Sequence, residues 1–229
     1  LLTSGEWAAS RLGYRFADPT LLDAALTHRS AGRVNYERLE FLGDAVLSFA
    51  VAELVFRAHA DAAEGDLSRY RASLVSGHTL AVIATELALG DQLRLGGGEL
   101  KSGGFRRQSI LADALEALFG AVYLDGGLEA ARRVIERLFA GRLAVLPDAD
   151  DLKDPKTRLQ ELLQGQGRRL PNYALEEVTG EPHEHWFVAT CEVVDLGLHE
   201  RGEGPSRRRA EQAAAERILE QLAARAGRA

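Results

Sequence analysis

The sequence predicts an all-α domain followed by a small α+β domain of order α-β-β-β-α. Three observations carry this. The stretches Ala45 to Phe56, Leu74 to Leu89 and Ile110 to Leu124 are long, apolar and free of proline, which favours helix. The segment Pro147-Asp148-Ala149-Asp150-Asp151-Leu152-Lys153-Asp154-Pro155 is polar, lacks an apolar period and carries proline at both ends, so the domain boundary falls there. Beyond it come a short helix from Pro155 to Gln164, alternating segments around Tyr173 to Val178 and His185 to Val194, a third near Leu198, and a helix from Arg207 to Ala223.

The composition narrows the class. Of 229 residues, 46% are hydrophobic and 27% charged, the balance of a globular chain rather than a disordered one. With 28 basic against 34 acidic residues the net charge is −6, and each half, split after residue 148, is net −3. Any anion site must therefore be local. No apolar run approaches the roughly 18 residues of a membrane span, and Leu1 to Glu6 shows no basic region ahead of an apolar one. A soluble, cytoplasmic protein without membrane contact is expected, although a chain with no Met leaves its true start open. The lone Cys191 excludes an intramolecular disulfide. It shares a strand face with Phe187, Ala189 and Val193, which predicts a core position.

The informative residues are carboxylates on apolar helices. In Glu37-Arg38-Leu39-Glu40-Phe41-Leu42-Gly43-Asp44 the three acids lie at i, i+3 and i+7, on one face of a helix that is apolar elsewhere. A second helix carries Asp113 and Glu116 at i, i+3, with no Lys or Arg three or four residues away. Arg38, adjacent in sequence, points off the acidic face. Unpaired buried carboxylates cost several kcal/mol each, against a domain stability of about 5 to 15 kcal/mol. A bound cation is the simplest compensation. The candidate ligands are all oxygen donors, which selects Mg²⁺ or Mn²⁺ over Zn²⁺. No Glu has a His three residues on, as di-iron carboxylate bundles require. Such an ion usually keeps waters for a phosphate substrate, so phosphodiester hydrolysis follows.

Weaker signals accompany these. The cluster Gly96-Gly97-Gly98-Glu99-Leu100-Lys101-Ser102-Gly103-Gly104 lacks the glycine before lysine of a Walker A motif and reads as a flexible loop. Phe105-Arg106-Arg107 reads either as a contact to an RNA backbone or as a solvated turn. His28 reads as a hydrogen-bonded structural residue and Asp66 as a helix N-cap before Leu67. The acid Glu64, two residues earlier, has no such structural role, with a solvent-exposed side chain as the default reading. Arg207, Arg208 and Arg209 at a helix N-terminus oppose its dipole and call for an anion, which a phosphate would supply.

The run Glu37 to Asp44 resembles the signature of the ribonuclease III family. Leu26 to Ser30, Glu64-Gly65-Asp66-Leu67-Ser68, Gly98 to Ser109 and Asp113 to Glu116 resemble the same family in the same order. The resemblance implies an all-α endonuclease domain over 3–147 with its catalytic core at about 3–126, a linker at 148–153, and a double-stranded RNA-binding domain at 154–224. It implies a homodimer that cuts double-stranded RNA with Mg²⁺, or Mn²⁺ in its place, leaving 5′-phosphate and 3′-hydroxyl ends with short 3′ overhangs. Processing of ribosomal and other structured RNA precursors is the role expected. Glu40, Asp44, Asp113 and Glu116 correspond to the metal ligands, with Asp44 and Glu116 catalytic and Glu37 and Glu64 supporting. Phe41 matches a residue packed across the family's dimer junction, with a plain core role as the alternative. Thr157, Gln160 and Glu161, with Pro182-His183, would face two minor grooves, and Ser206, Arg207, Arg208 and Arg209 the phosphates. The chain departs from the family in having Pro205 where a small polar residue is common and Arg209 where Lys is usual.

Overall fold

The computed structural model describes residues 2–179 and 185–226, and it divides into a unit of residues 1–149 and a unit of residues 150–229. Pro182 and His183 lie outside the described residues.

The first unit is helical. Helix α1 (Ser4–Trp7) opens on a capping box between Thr3 and Glu6 and runs into a π turn over Ala8–Leu12. Helix α2 (Pro19–Ala25) is started by Asp18, which accepts from the Thr20 N–H at 2.9 Å, with Pro19 at the first position. Then come α3 (Glu37–Ala58), α4 (Glu64–Leu74), α5 (Gly77–Glu86), the short α6 (Gly97–Lys101) and the long α7 (Gln108–Ala144). Helix α7 is interrupted at Gly127, whose φ of 75° lies in the left-handed region that glycine tolerates. Helices α3 and α7 form the centre of the unit, with Leu47, Val51, Leu115, Leu118 and Phe119 at 0% exposure.

Four sequence expectations change here. The helix expected from Leu74 to Leu89 starts at Gly77, because the Ser76 hydroxyl accepts the Thr79 N–H at 3.3 Å and caps it. Asp66 is not an N-cap: α4 begins at Glu64, and Asp66 in its first turn pairs with Arg69. The glycine cluster is not a featureless loop, since Gly97–Lys101 is a helical turn followed by a 3-10 turn at Gly104–Arg106. Finally, α3 is not buried all round. Phe41, Phe49 and Phe56 are 83%, 53% and 69% exposed on a shared side, at the seven- and eight-residue spacing of one helix face.

In the second unit α8 (Pro155–Gly165) begins at Asp154, which accepts the Lys156 N–H at 2.9 Å. Strands β1 (Asn172–Thr179), β2 (Trp186–Val193) and β3 (Leu198–Gly204) form an antiparallel sheet in that order, with an irregularity in β1 between Leu175 and Glu177. Helix α9 (Arg207–Ala226) completes the α-β-β-β-α order. The core packs Leu159 and Leu163 of α8 and Ala214, Ala215 and Ile218 of α9 against Cys191 and Val193. Cys191 is fully buried, as its strand face predicts.

Candidate active site and RNA-binding surface

The acids of α3 and α7 meet because the two helices cross where neither has a side chain. A Cβ at Gly43 would overlap the Glu116 carbonyl, and one at Gly120 would overlap the Leu39 carbonyl. Glycine inside a helix costs roughly 1 kcal/mol relative to alanine, and here it allows backbone-to-backbone approach. Gly43 lies between Glu40 and Asp44, and Gly120 lies one turn after Glu116, so the crossing point also sets the separation of the carboxylates. Reading the acids alone missed these glycines; two glycines inside otherwise strong helices were the available signal.

Glu40, Asp113 and Glu116 each place a carboxylate oxygen within 4.8 Å of the others, all three partly buried. Asp44 is more exposed and stands outside this triad, although its charge acts on both Glu40 and Glu116. The Glu116 carboxyl is pushed from 4.5 up to about 8, first by burial and then by the charges of Asp44, Asp113 and Glu40. Burial also raises Glu40, with Asp113 and Glu37 adding to it, and it raises Asp113 as well. Oxygen-only donors at this spacing fit a hard divalent cation, and a cation there would relieve the repulsion that holds Glu116 high.

The surroundings correct the energetic argument in two ways. Glu37 and Asp44 are exposed, so the cost of uncompensated burial falls mainly on the triad. A counter-charge also exists, from outside both helices: Arg29 lies 3.5 Å from Glu37, and its charge also favours the charged form of Asp113. The exposed Glu64, on α4, accepts from the Ser68 hydroxyl at 2.9 Å and is not among the acids that perturb Glu116.

Beside the triad lies a cleft of about 270 Å³ lined by His28, Arg29, Tyr36, Glu40, Arg107 and Asp113, among others. The segment carrying His28 is tied down by backbone bonds from the His28 N–H to the Arg94 carbonyl (3.0 Å) and from the Tyr36 N–H to the Thr27 carbonyl (3.0 Å). Arg107 is held by Glu99 at 3.0 Å. Burial, followed by the charges of Asp113 and Glu40, pushes the Tyr36 hydroxyl far up, so it stays a neutral O–H. Sequence reading gave Arg29 and Tyr36 no role and left Arg107 undecided, since nothing in their local spacing relates them to α7.

On the opposite flank of α3, Phe41 rules out a core role by its exposure. With Leu39, Leu42 and the half-exposed Leu124 it lines an apolar groove of about 690 Å³, rimmed by Glu37 and Arg38.

In the second unit the arginines already have protein partners, contrary to the expectation that only an external anion compensates them. Arg207 Nε donates to Glu211 at 2.8 Å, Arg208 pairs with Asp154 at 3.2 Å, and Arg209 Nη1 reaches Gln212 at 3.4 Å. Glu211 also pairs with Lys156 and is 6% exposed. Ser206 accepts the Arg209 N–H at 3.3 Å and so caps α9. Arg207 and Arg208 keep 62% and 78% of their side chains exposed; Arg207 is held through Nε, which leaves its outer nitrogens open, whereas Arg208 uses Nη2 for Asp154. On α8, Glu161 pairs with Lys153 at 2.8 Å, and Thr157 and Gln160 lie on the same helix.

Two family models match the chain: Ribonuclease-III-like over residues 18–143, and Double-stranded RNA binding motif over residues 155–222. The class is therefore a helical nuclease with a separate RNA-binding domain. The chain is 57% identical to Ribonuclease 3 of Alkalilimnicola ehrlichii, over 93% of each chain, and 54% identical to Ribonuclease 3 of Vibrio cholerae, over 93% of this chain and 95% of that one. The crystal structure of the nuclease domain of ribonuclease III from Campylobacter jejuni matches with a TM-score of 0.60 at 44% identity, covering 64% of this chain and all of that one. A second structure of that domain, at 45% identity and a TM-score of 0.59, is described as flexible in a region involved in dimer formation. It covers 61% of this chain and 99% of that one. The chain belongs to the ribonuclease III family, as an endonuclease with an appended double-stranded RNA-binding domain. Among the described residues no helix is long and apolar enough to cross a membrane.

Proposed function

We propose that the protein is a cytoplasmic, Mg²⁺-dependent homodimer that hydrolyses phosphodiester bonds of double-stranded RNA, with Mn²⁺ able to replace Mg²⁺. Its products carry 5′-phosphate and 3′-hydroxyl ends with short 3′ overhangs, and its substrates include ribosomal and other structured RNA precursors. The observation that carries this reading is the oxygen-only triad Glu40, Asp113 and Glu116, within 4.8 Å, in a chain whose second domain matches a double-stranded RNA-binding motif.

Glu40, Asp113 and Glu116 hold the cation, and Asp44, whose charge acts on Glu116, completes the ligand set. When bound, Mg²⁺ activates the attacking water and offsets the charge of the phosphate. Asp44 and Glu116 are the catalytic pair, and without a cation Glu116 holds a proton up to a pH of about 8. Glu37 and Glu64 support the acidic face. Thr157, Gln160 and Glu161 read the minor groove, together with Pro182 and His183, while Ser206, Arg207, Arg208 and Arg209 meet phosphates. Arg208 exchanges Asp154 for RNA, and Arg207 offers its outer nitrogens while Nε stays on Glu211, so binding should depend strongly on salt. The exposed Phe41 and the groove beside it are the self-complementary parts of a two-fold interface.

The deciding experiment incubates the purified chain with duplex RNA, single-stranded RNA and duplex DNA, with and without Mg²⁺. Duplex-RNA cleavage that requires Mg²⁺, with end-labelling that identifies 5′-phosphates, is expected. Binding without cleavage at any Mg²⁺ or Mn²⁺ concentration would replace the enzyme by a binding protein.

A further inference from the structure

Two side chains buried by more than nine-tenths line the acid cleft, each with a hydrogen-bonding atom to spare. His28 and Tyr36 are 7% and 3% exposed, and both line the cleft beside Glu40 and Asp113. The Ser30 N–H donates to His28 Nδ1 at 3.2 Å, and the Ser30 hydroxyl lies 2.7 Å from the same nitrogen. Because that hydroxyl accepts the Gly96 N–H at 2.9 Å, its own hydrogen is free to point at Nδ1. A ring nitrogen that accepts carries no proton, so the neutral imidazole bears its hydrogen on Nε2. Among the described residues neither His28 Nε2 nor the Tyr36 hydroxyl has a hydrogen-bond partner, and neither atom is sealed from solvent. Two donors on otherwise buried side chains, unpartnered within the protein and open to one cleft, point to a ligand that enters it.

Cationic groups line the same cleft, each paired with a carboxylate: Arg29 with Glu37 and Arg107 with Glu99. Arg107 stands at the N-cap position of α7 without a side-chain cap, and Ser109 and Ile110 of the first turn line the cleft. The first-turn N–H groups of α7 thus add to the charges of Arg107 and Arg29. The cleft thus brings these donors and cations together with the carboxylates Glu37, Glu40, Glu99 and Asp113. A group that satisfies both sets must carry several acceptor oxygens and also share a cation with the acids. A phosphodiester does so.

We propose that His28 Nε2–H and the Tyr36 hydroxyl, with Arg107 beside them, form a subsite that holds a non-bridging oxygen of the scissile RNA phosphate against the carboxylate triad. This rests on the nuclease reading and adds to it: the acids manage the cation, and the donors beside them in the cleft orient the phosphate. Arg107 is released from Glu99 as the phosphate arrives.

Tyr36→Phe in the full chain removes one donor and keeps the packing of the ring. Single-turnover cleavage of duplex RNA at saturating Mg²⁺ should slow about tenfold, the scale for one hydrogen bond to a charged group. The decisive readout is a duplex with a single phosphorothioate, in either stereochemistry, at the scissile linkage or at its neighbour. Sulfur accepts hydrogen bonds poorly. One scissile diastereomer should therefore slow the wild type, and in that diastereomer Tyr36→Phe should add no further loss. In the metal-free chain, ¹⁵N NMR should show His28 as the Nε2–H form, shifting with inorganic phosphate and not with chloride at equal ionic strength. Full additivity of the sulfur and Tyr36→Phe losses would overturn the subsite, as would non-additivity at the neighbouring linkage alone. A raised Mg²⁺ requirement with an unchanged sulfur effect would place the hydroxyl on the carboxylates and overturn it too. An unmoved His28 resonance would remove the histidine from it. A wild type that cuts no duplex would overturn the nuclease reading together with the subsite.

Discussion

Replacing Glu116 by Gln should make the metal-free protein more stable above neutral pH while abolishing cleavage. The carboxyl's value rises from 4.5 to about 8 on folding, so the folded state holds a proton that the unfolded chain gives up. A raised value contributes stability that is fully present below 4.5 and is lost as the pH climbs through about 8. At 1.36 kcal/mol per pH unit the loss is at most about 4.8 kcal/mol. Glu116 is only partly buried, and screening by water reduces this to about 2 kcal/mol. For a unit of this size that corresponds to roughly 4 to 8 °C in Tm. The assay is thermal unfolding followed by far-UV circular dichroism in EDTA, from about pH 5 to pH 9. Glu116→Gln, with no proton to lose, should match the wild type near pH 5 and exceed it increasingly up to pH 9. Adding Mg²⁺ at pH 8 should then stabilise the wild type, by about 2.7 kcal/mol at a hundredfold excess over Kd, and the variant much less. Parallel Tm curves for the two proteins across the whole range would refute the argument that repulsion and burial are stored at Glu116.

Gly43→Ala should force α3 away from the Glu116 carbonyl, costing about 1 to 3 kcal/mol or more from overpacking; a lower Tm and weaker Mn²⁺ binding by calorimetry would check it, and an unchanged Mn²⁺ affinity would count against the glycines as spacers of the site. Phe41→Ala, which removes a side chain that is 83% exposed and so hardly supports the monomer's core, should leave the Tm of an isolated protomer unchanged and weaken dimerisation; sedimentation at several concentrations reads this directly. Replacing Arg207, Arg208 and Arg209 by Ala should weaken binding of unrelated duplex sequences and flatten the salt dependence by roughly one unit of slope for each phosphate no longer neutralised. Filter binding at several ionic strengths measures it, and an unchanged slope would mean that these arginines meet no phosphate when RNA is bound.

What the sequence disclosed and what it hid divide along one physical line: contacts within a helix turn or along a strand are written in local spacing, and contacts between distant segments are not. The i, i+3 pairing of Asp113 with Glu116, the polar stretch before Pro155 and the alternating face through Cys191 are all local, and the fold class followed from them. Exposure is not local. The acid-bearing helix looked wholly buried because Phe41, Phe49 and Phe56 are apolar, yet the monomer leaves all three in solvent, and only an apolar partner would reconcile composition with packing. The compensating charges were hidden for the same reason. Arg29 reaches the acidic face from the loop before α3, and Asp154 reaches Arg208 from the cap of α8; the pair Arg207–Glu211, at i, i+4 on α9, was by contrast legible in the local spacing.

That second set of pairs bears on how a net-acidic chain engages a polyanion. Three cations near the start of α9 rest on carboxylates, and Arg209 on the Gln212 amide: Lys156 and Arg207 share the buried Glu211, and Arg208 uses Asp154, whose carboxyl is held below its usual value by hydrogen bonds from Gln212, the Lys156 N–H and Arg208 against the opposing effect of burial. Glu211 cannot follow its partners out to the RNA, being 6% exposed. It holds Arg207 through Nε alone and leaves the outer nitrogens of the guanidinium free, so a phosphate can be bound there without breaking the internal bond. Removing that carboxylate therefore subtracts a negative charge close to the RNA and also frees Arg207 to disorder. The Coulomb effect alone would tighten binding of Glu211→Gln, whereas loss of a fixed guanidinium would loosen it. With Glu211 buried and bonded to two cations at once, the loss of geometry is the larger effect, and weaker duplex binding by Glu211→Gln is the expected sign.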